Sequence, residues 1–289
     1  MRTTTQGQWR GLVFGLNTVY PVTLVEGVDD LPPIRTHDLP KPQTDGDWTV
    51  RDTVGARTIT LGLGIVAANG PDLEVKRQEA KAHLTRSLVE EVLRLSDGRV
   101  AYAKLRKAAV PSDLGYDWSI GELLLEFYCP DPRIYGTDEQ VIELLAGAPR
   151  EDGRQFSRGY VGPNPGIPNL AVPGPGWSYP QTIQPVSEGQ LTNSGNTPAP
   201  TEVTLYAPLS TPVVEIVGHT SMRLNVDLTG SDVLVVTRNH QIVLNGVPRR
   251  DLLAPGATWP EIPPGTWTVR LSTTTGGGRA VVRMRSASQ

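Results

Sequence analysis

The sequence predicts a mainly β chain with a single α-helix, followed by a second, all-β domain of sandwich or jelly-roll type. Three observations carry that expectation. Gly 30 plus Pro 26 in 289 residues, with 38% hydrophobic residues, suits turn-rich strands better than a helical bundle or a disordered chain. Only one segment repeats its apolar residues at helical spacing. About seven short apolar runs then follow Pro200 at near-regular intervals, the pattern of a sandwich of roughly 90 residues.

The length, 289 residues, is comfortable for two cores. In the first third, Trp9 to Phe14, Val22 to Glu26 and Arg57 to Val66 are β-rich. Leu31-Pro32-Pro33 and Leu39-Pro40-Lys41-Pro42 lack amide donors, so the stretch between them is expected to be a loop rather than a central strand. The helix is expected from Pro71 to Leu88. Asn69 and Asp72 can cap it, Pro71 fits its first turn, and Leu73, Ala80, Leu84 and Leu88 form its apolar face, with Lys76, Glu79 and Arg86 on the other. Asp97-Gly98 between β-rich runs predicts a hairpin, and Ile120 to Tyr128 a further strand ended by Pro130 and Pro132.

Ala146 to Pro200 holds 9 Gly and 10 Pro in 55 residues, too many for a regular core. Tyr160, Trp177 and Tyr179 argue that this connector packs on a neighbour rather than floating free. Beyond it, strands are expected at Thr201 to Tyr206, Val213 to Val217, Met222 to Val226, Val233 to Thr237, Gln241 to Leu244, Trp267 to Leu271 and Ala280 to Met284, with a turn at Arg238-Asn239-His240. The division is therefore 1–140, a connector over 141–190, and 191–289.

Charge excludes one large class. With 27 Lys+Arg against 30 Asp+Glu and no polybasic stripe, stable nucleic-acid binding is not expected. The first amino acids lack the apolar core of a signal peptide, and no run is long enough to span a membrane, so no membrane insertion is expected. A single cysteine, Cys129, rules out an internal disulfide framework.

Catalytic chemistry finds little footing. His37, His83, His219 and His240 fall in separate segments without ligand spacing, and Gly-x-Ser-x-Gly is absent. Cys129, between an aromatic run and Pro130, reads as a half-buried strand thiol. Gly62-Leu63-Gly64-Ile65-Val66-Ala67 matches the dinucleotide fingerprint in letters only, because β-branched residues continue where a helix should open; close approach of another backbone explains the glycines better. Asp29 and Asp30 could serve glycoside hydrolysis only if opposed, and acidic loop residues are ordinarily solvated. No catalytic, cofactor or metal residue is assigned, and the chain is expected not to be an enzyme. Trp177, Trp259 and Trp267 are the candidates for carbohydrate contact, against the plainer reading of core aromatics.

The order of signals resembles a known family. Tyr20-Pro21-Val22, Glu26-Gly27, a proline loop, Asp45-Gly46-Asp47, and Arg57-Thr58-Ile59-Thr60-Leu61 entering a strand come first. The helix, the Asp97-Gly98 hairpin and Asp131-Pro132-Arg133-Ile134-Tyr135 follow, the last being the most specific. In this order they are similar to the distal tail protein of siphovirus-type phages. Asn193-Ser194-Gly195-Asn196, Asn245-Gly246 and Pro263-Pro264-Gly265 look like the galectin-like sandwich often attached to such proteins.

The resemblance implies a structural virion protein made in the host cytoplasm and placed at the tail tip. Residues 1–140 would be a ring-forming domain and 191–289 a galectin-like, jelly-roll β-sandwich. The implied partners are five further copies in a homohexameric ring, the tail tube protein, and tail tip or baseplate hub, fibre or receptor-binding proteins. The mildly acidic N-terminal half, with 16 Lys+Arg and 20 Asp+Glu over residues 1–140, suits a lumen that DNA crosses without sticking. The alternative is a glycan-binding module that contacts the host surface, and a fold by itself does not carry that activity.

Overall fold

Alternating burial along its strands organises the protein, whose computed structural model describes residues 6–111, 120–146 and 186–289. The architecture is mainly β with a single α-helix among the described residues, as expected. Two compact units form. Unit 1 comprises residues 1–139 with 194–198 and 285–289; unit 2 comprises 140–193 and 199–284.

In unit 1, β1 (Gly7–Trp9) and β2 (Leu12–Phe14) make a hairpin whose turn residues Arg10 and Gly11 both have positive φ. β3 (Val22–Glu26) pairs with the ten-residue β4 (Arg57–Val66), where Arg57, Ile59, Leu61, Leu63 and Ile65 are buried at period two. After the helix α1 (Gly70–His83) come β5 (Glu91–Arg94), β6 (Val100–Ala109), β7 (Ile120–Cys129) and β8 (Ile134–Leu145), the last reaching unit 2 from Gln140 on. β6 serves two ladders. Its first residues pair with β5, which pairs with β1, and its later ones pair with β7, with a register shift between Leu105 and Lys107. β7 then pairs with β4 without a break from Ile120↔Val66 to Cys129↔Arg57. Trp9 meets Phe127 edge-on at 4.8 Å inside the core that these strands and Leu73 and Ala80 of α1 enclose.

The expected hairpin at Asp97-Gly98 is present, with Gly98 at φ 88° and Val100 opposite Arg94. The helix starts as its cap predicts. Asp72 N donates to Asn69 Oδ1 at 2.9 Å, while the Asp72 carboxylate accepts from Ala68 N at 2.8 Å and from Lys76 Nζ at 2.6 Å. It stops at His83 rather than Leu88, because Arg10 takes the Thr85 carbonyl at 2.9 Å and a Glu91 carboxylate beyond it, drawing the chain out of helical geometry. Leu88, expected on the apolar face, is 75% exposed, and Arg77 joins Leu73 and Ala80 on the buried face of the helix with donors to the Val110 and Pro111 carbonyls.

Unit 2 is built on two main antiparallel sheets, with a short ladder between Leu209–Ser210 and Asp227–Leu228. One runs β9 (Val186–Asn193), then β15 (Gly265–Ser272), β11 (Val213–Ile216) and β12 (Thr220–Arg223). The other runs β16 (Arg279–Ser288), β10 (Ala199–Tyr206), β13 (Val233–Val236) and β14 (Ile242–Leu244). Leu191, Val214, Ile216, Val269 and Leu271 are buried on the first, and Val203, Leu205, Leu234, Val236, Ile242, Val282 and Met284 on the second, alternating with more exposed residues. All seven expected strands are there to within two residues at their starts; β16 runs on to Ser288. β9 is additional. It begins within the proline-rich stretch assigned to the connector and matches β15 over all eight residues. The chain returns to unit 1 at 194–198, where Thr197 N donates to Ala287 O.

Candidate functional site

The tryptophans expected to touch carbohydrate do not form one platform. Trp177 lies outside the described residues. Trp259, half-buried, stacks on His240 with ring centroids 4.8 Å apart and planes 5° from parallel. His240 sits at positive φ in the turn expected at 238–240, its Nε2 3.5 Å from a Glu261 carboxylate oxygen. Trp267 belongs to β15 on the other sheet, tilts against His219 at 5.7 Å and donates from Nε1 to Pro264 O at 3.4 Å. Each indole therefore has its own imidazole. Nothing in their order along the chain announces these pairs, since His219 and Trp267 meet only when β11, β12 and β15 pair.

The remaining candidates are absorbed into structure. Asp30 accepts from Gly27 N at 3.1 Å, and Asp29 pairs with Arg99, which also holds Asp97, so the two acids are engaged rather than opposed across a cleft. Gly62 lies inside β4, where a Cβ would come 2.8 Å from Leu24 Cβ and Thr23 Oγ1; the close backbone approach expected there is real. Cys129 is fully buried, more than expected, and burial pushes its thiol up to about 12. That group is no nucleophile at neutral pH. Among the described residues, no three His, Cys, Asp or Glu side chains gather where one ion could be held, and no helix is long and apolar enough to cross a membrane.

The motif Asp131-Pro132-Arg133-Ile134-Tyr135 closes unit 1 through hydrogen bonds. Arg133 N donates to Asp131 Oδ1 at 3.1 Å, and the Tyr135 hydroxyl donates to the other carboxylate oxygen. Arg57 completes the corner, reaching the Pro132 carbonyl and those of Gly27, Val28 and Asp30 with one buried guanidinium. Both pieces quoted for the family resemblance, Glu26-Gly27 and Asp131-Pro132, are thus held by the arginine that opens the third, Arg57-Thr58-Ile59.

Apolar surface is the feature that sequence reading missed. Between β3 and β4, Ile34–Arg35 pairs with Thr53–Val54 and Leu39–Pro40 with Asp47–Trp48, so the expected loop is a hairpin arm. Pro40 is tolerated because its ladder is two residues long. No residue from Pro33 to Val54 is buried. The only advance signal was Ile34, Leu39, Trp48 and Val54 within a polar, proline-rich stretch.

Comparison with known proteins points one way. Residues 194–281 match the family model described as the siphovirus-type tail component, C-terminal domain. The fold is Dit-like. It aligns with the SPP1 Dit crystal structure over 98% of both chains, with a TM-score of 0.58 at 13% identity, and that protein is described as a paradigm of the hub adsorption apparatus in phages infecting Gram-positive bacteria. Two structures of the phage p2 baseplate in its activated conformation, with Ca and with Sr, align over 93% of this chain at 9% identity, with TM-scores of 0.44 and 0.45. No curated protein matches in sequence. The resemblance read from the residues and the Dit-like fold agree, and no catalytic residue comes with either.

Proposed function

We propose that this protein is the distal tail hub of a siphovirus-type phage, a homohexameric ring that continues the tail tube and carries the tail tip or baseplate and host-recognition proteins. The supporting observation is the coincidence of two independent likenesses, the tail-component match over 194–281 and the Dit fold over 98% of the chain. In this reading residues 1–140 build the ring, 141–190 connect, and 191–289 form a peripheral galectin-like sandwich at the virion tail tip, after synthesis in the host cytoplasm. The chain works by holding partners, not by catalysis.

The test is the mass of the purified full chain by light scattering, with negative-stain images of the same peak. A mass near six times 31.3 kDa with ring views supports the hub. A protein that stays monomeric at every concentration overturns self-assembly of the free chain.

A second reading rests on the half-exposed Trp259 and Trp267, whose faces suit sugar rings. Retention of the full chain on host wall polysaccharide, lost in Trp259→Ala or Trp267→Ala, supports a glycan contact there. Retention unchanged by both variants, or no retention, removes it.

A further inference from the structure

Unit 1 holds an open pocket of about 380 Å³ where the β1–β2 hairpin, the loop after it and the end of α1 meet. Leu12, Val13, Val19 and Tyr20 supply its apolar walls, and Glu79 and His83, one helical turn apart, stand together on α1. Gly11 also lines it at φ 91°, and a Cβ there would come 3.4 Å from His83 Cε1, so the turn leaves the imidazole its place. Val13 and Val19 are 38% and 39% exposed, which leaves apolar surface partly uncovered beside the polar groups.

The polar side chains of this pocket accept hydrogen bonds, because their own hydrogens are already committed. His83 Nδ1 lies 2.8 Å from the Arg10 carbonyl, which can only accept, so Nδ1 carries the proton and the neutral ring keeps a lone pair at Nε2. The Tyr20 hydroxyl donates to Lys76 O at 2.8 Å, and Thr18 Oγ1 donates to Gly15 O at 2.8 Å. Glu79 is exposed, and among the described residues no hydrogen bond or ion pair engages its carboxylate. Its charge is felt at the pocket wall, since burial first and Glu79 second raise the Tyr20 pKa. No lysine or arginine lines the pocket. Of the neighbouring cations, Arg10 is held by Glu91 and Thr85, Lys76 by Asp72 and the Val66 carbonyl, and Lys81 falls on the other side of the helix from Glu79 and His83. An apolar wall therefore stands beside a negative lining whose side chains only accept.

We infer that this pocket receives an arginine side chain from a partner protein, with the guanidinium on Glu79 and its carbon stem along Val13 and Val19. Charge complementarity selects the occupant. A carboxylate with no cation of its own, beside acceptors at His83, Tyr20 and Thr18, calls for a cation that donates in several directions, and a guanidinium carries five N–H groups on a planar fork. The methylene stem covers apolar surface that a bare inorganic cation would leave wet. One carboxylate and one imidazole are also too few to hold a metal ion. Arginine seated in a pocket in this way is among the side chains that anchor protein interfaces. The contact is separate from the self-assembly proposed above and does not depend on it.

The probe is the capped tripeptide acetyl-Val-Arg-Val-amide, and its control carries citrulline, which keeps the stem and removes the charge. Both are titrated to about 20 mM into the full chain with isotope-labelled valine methyl groups, read by NMR and assigned through Val13→Ile and Val19→Ile. Saturable shifts at the Val13 and Val19 methyls are expected with the arginine peptide, with affinity at least about fivefold above the citrulline peptide. Glu79→Gln, at an exposed position, should weaken the arginine peptide about fivefold and leave the citrulline peptide unchanged, whereas Glu74→Gln on the same helix, outside the pocket, should change neither. Equal responses to the two peptides, arginine binding that survives Glu79→Gln in full, or no saturable shift by about 20 mM overturns the inference. The comparison of the two peptides is made on the wild-type chain, so it does not rest on the folding of any variant, and every outcome leaves the ring reading standing.

Discussion

Arg57 Nε donates to the Pro132 carbonyl at 2.8 Å, which joins the start of β4 to the corner between β7 and β8 across 75 residues of sequence. The same guanidinium serves three more carbonyls of residues 27–30. Burial lowers its pKa, as loss of hydration must for a cation, and the carbonyl dipoles with Asp29 and Asp30 nearby keep it charged. The two loops that flank the root of the arm therefore share a single buried group.

Arg57→Met is expected to cost about 3 kcal/mol, because four carbonyls lose a charged donor that water cannot easily replace. Arg57→Lys keeps the charge but not the fork, and should recover less than half of that loss. Denaturant titration of unfolding, followed by tryptophan fluorescence, gives both values.

Cys129 sets an alkaline limit. The thiol sits at about 12 when folded and returns to about 9.0 when unfolded, so between those values the unfolded chain alone releases the proton. Stability is then full below pH 9 and falls as pH rises above it. Cys129→Ala should flatten that decline over pH 9 to 10, a window that ends before Tyr20, also raised by burial and by Glu79, adds its own share. Maleimide at pH 7.5 should label wild-type protein only after denaturant is added.

Glu91 governs the acid side in the opposite sense. Its carboxylate is held below the usual range first by the hydrogen bond from Arg10, which outweighs partial desolvation, and by Ser87. Stability from this group is present above the ordinary glutamate pKa and is lost as pH falls through the lower folded value. Glu91→Gln should make the unfolding midpoint less sensitive to pH below about 4.5, measured against wild type at constant ionic strength.

Asn69 caps the helix that α1 contributes to the unit 1 core. Asn69→Ala should cost about 1 kcal/mol by thermal unfolding, while Asn69→Asp should be nearly silent, because either oxygen accepts from Asp72 N.

Gly62 and Gly195 should respond differently to alanine. At Gly62 the new methyl meets Leu24 Cβ and Thr23 Oγ1 at 2.8 Å, of which the hydroxyl can rotate away while the Cβ moves only with its backbone. At Gly195 it meets the Ala287 backbone carbonyl, which cannot rotate away. Gly195→Ala is therefore expected to lower the unfolding temperature several degrees more than Gly62→Ala does.

The sequence by itself determined the mainly β architecture, the one helix and its cap, the Asp97-Gly98 turn and seven strands of the sandwich. These follow from local rules: alternation at period two, a capping side chain two or three residues from its amide, and glycine at positive φ. It also determined the family resemblance, through the order of short motifs. Tertiary structure alone decided the rest. The helix ends at His83 because Arg10, more than 70 residues earlier, captures Thr85 and Glu91. β9 forms out of a proline-rich stretch because β15, almost 80 residues later, offers it a full ladder. Trp259 and Trp267, alike as letters, part company because Trp259 stacks from a loop on His240 while Trp267 lies in β15 against His219, and the arm became visible only once Ile34, Leu39, Trp48 and Val54 were placed opposite one another with nothing over them. Long-range pairing depends on which partners the whole chain brings within reach, and no window of neighbouring residues contains that information.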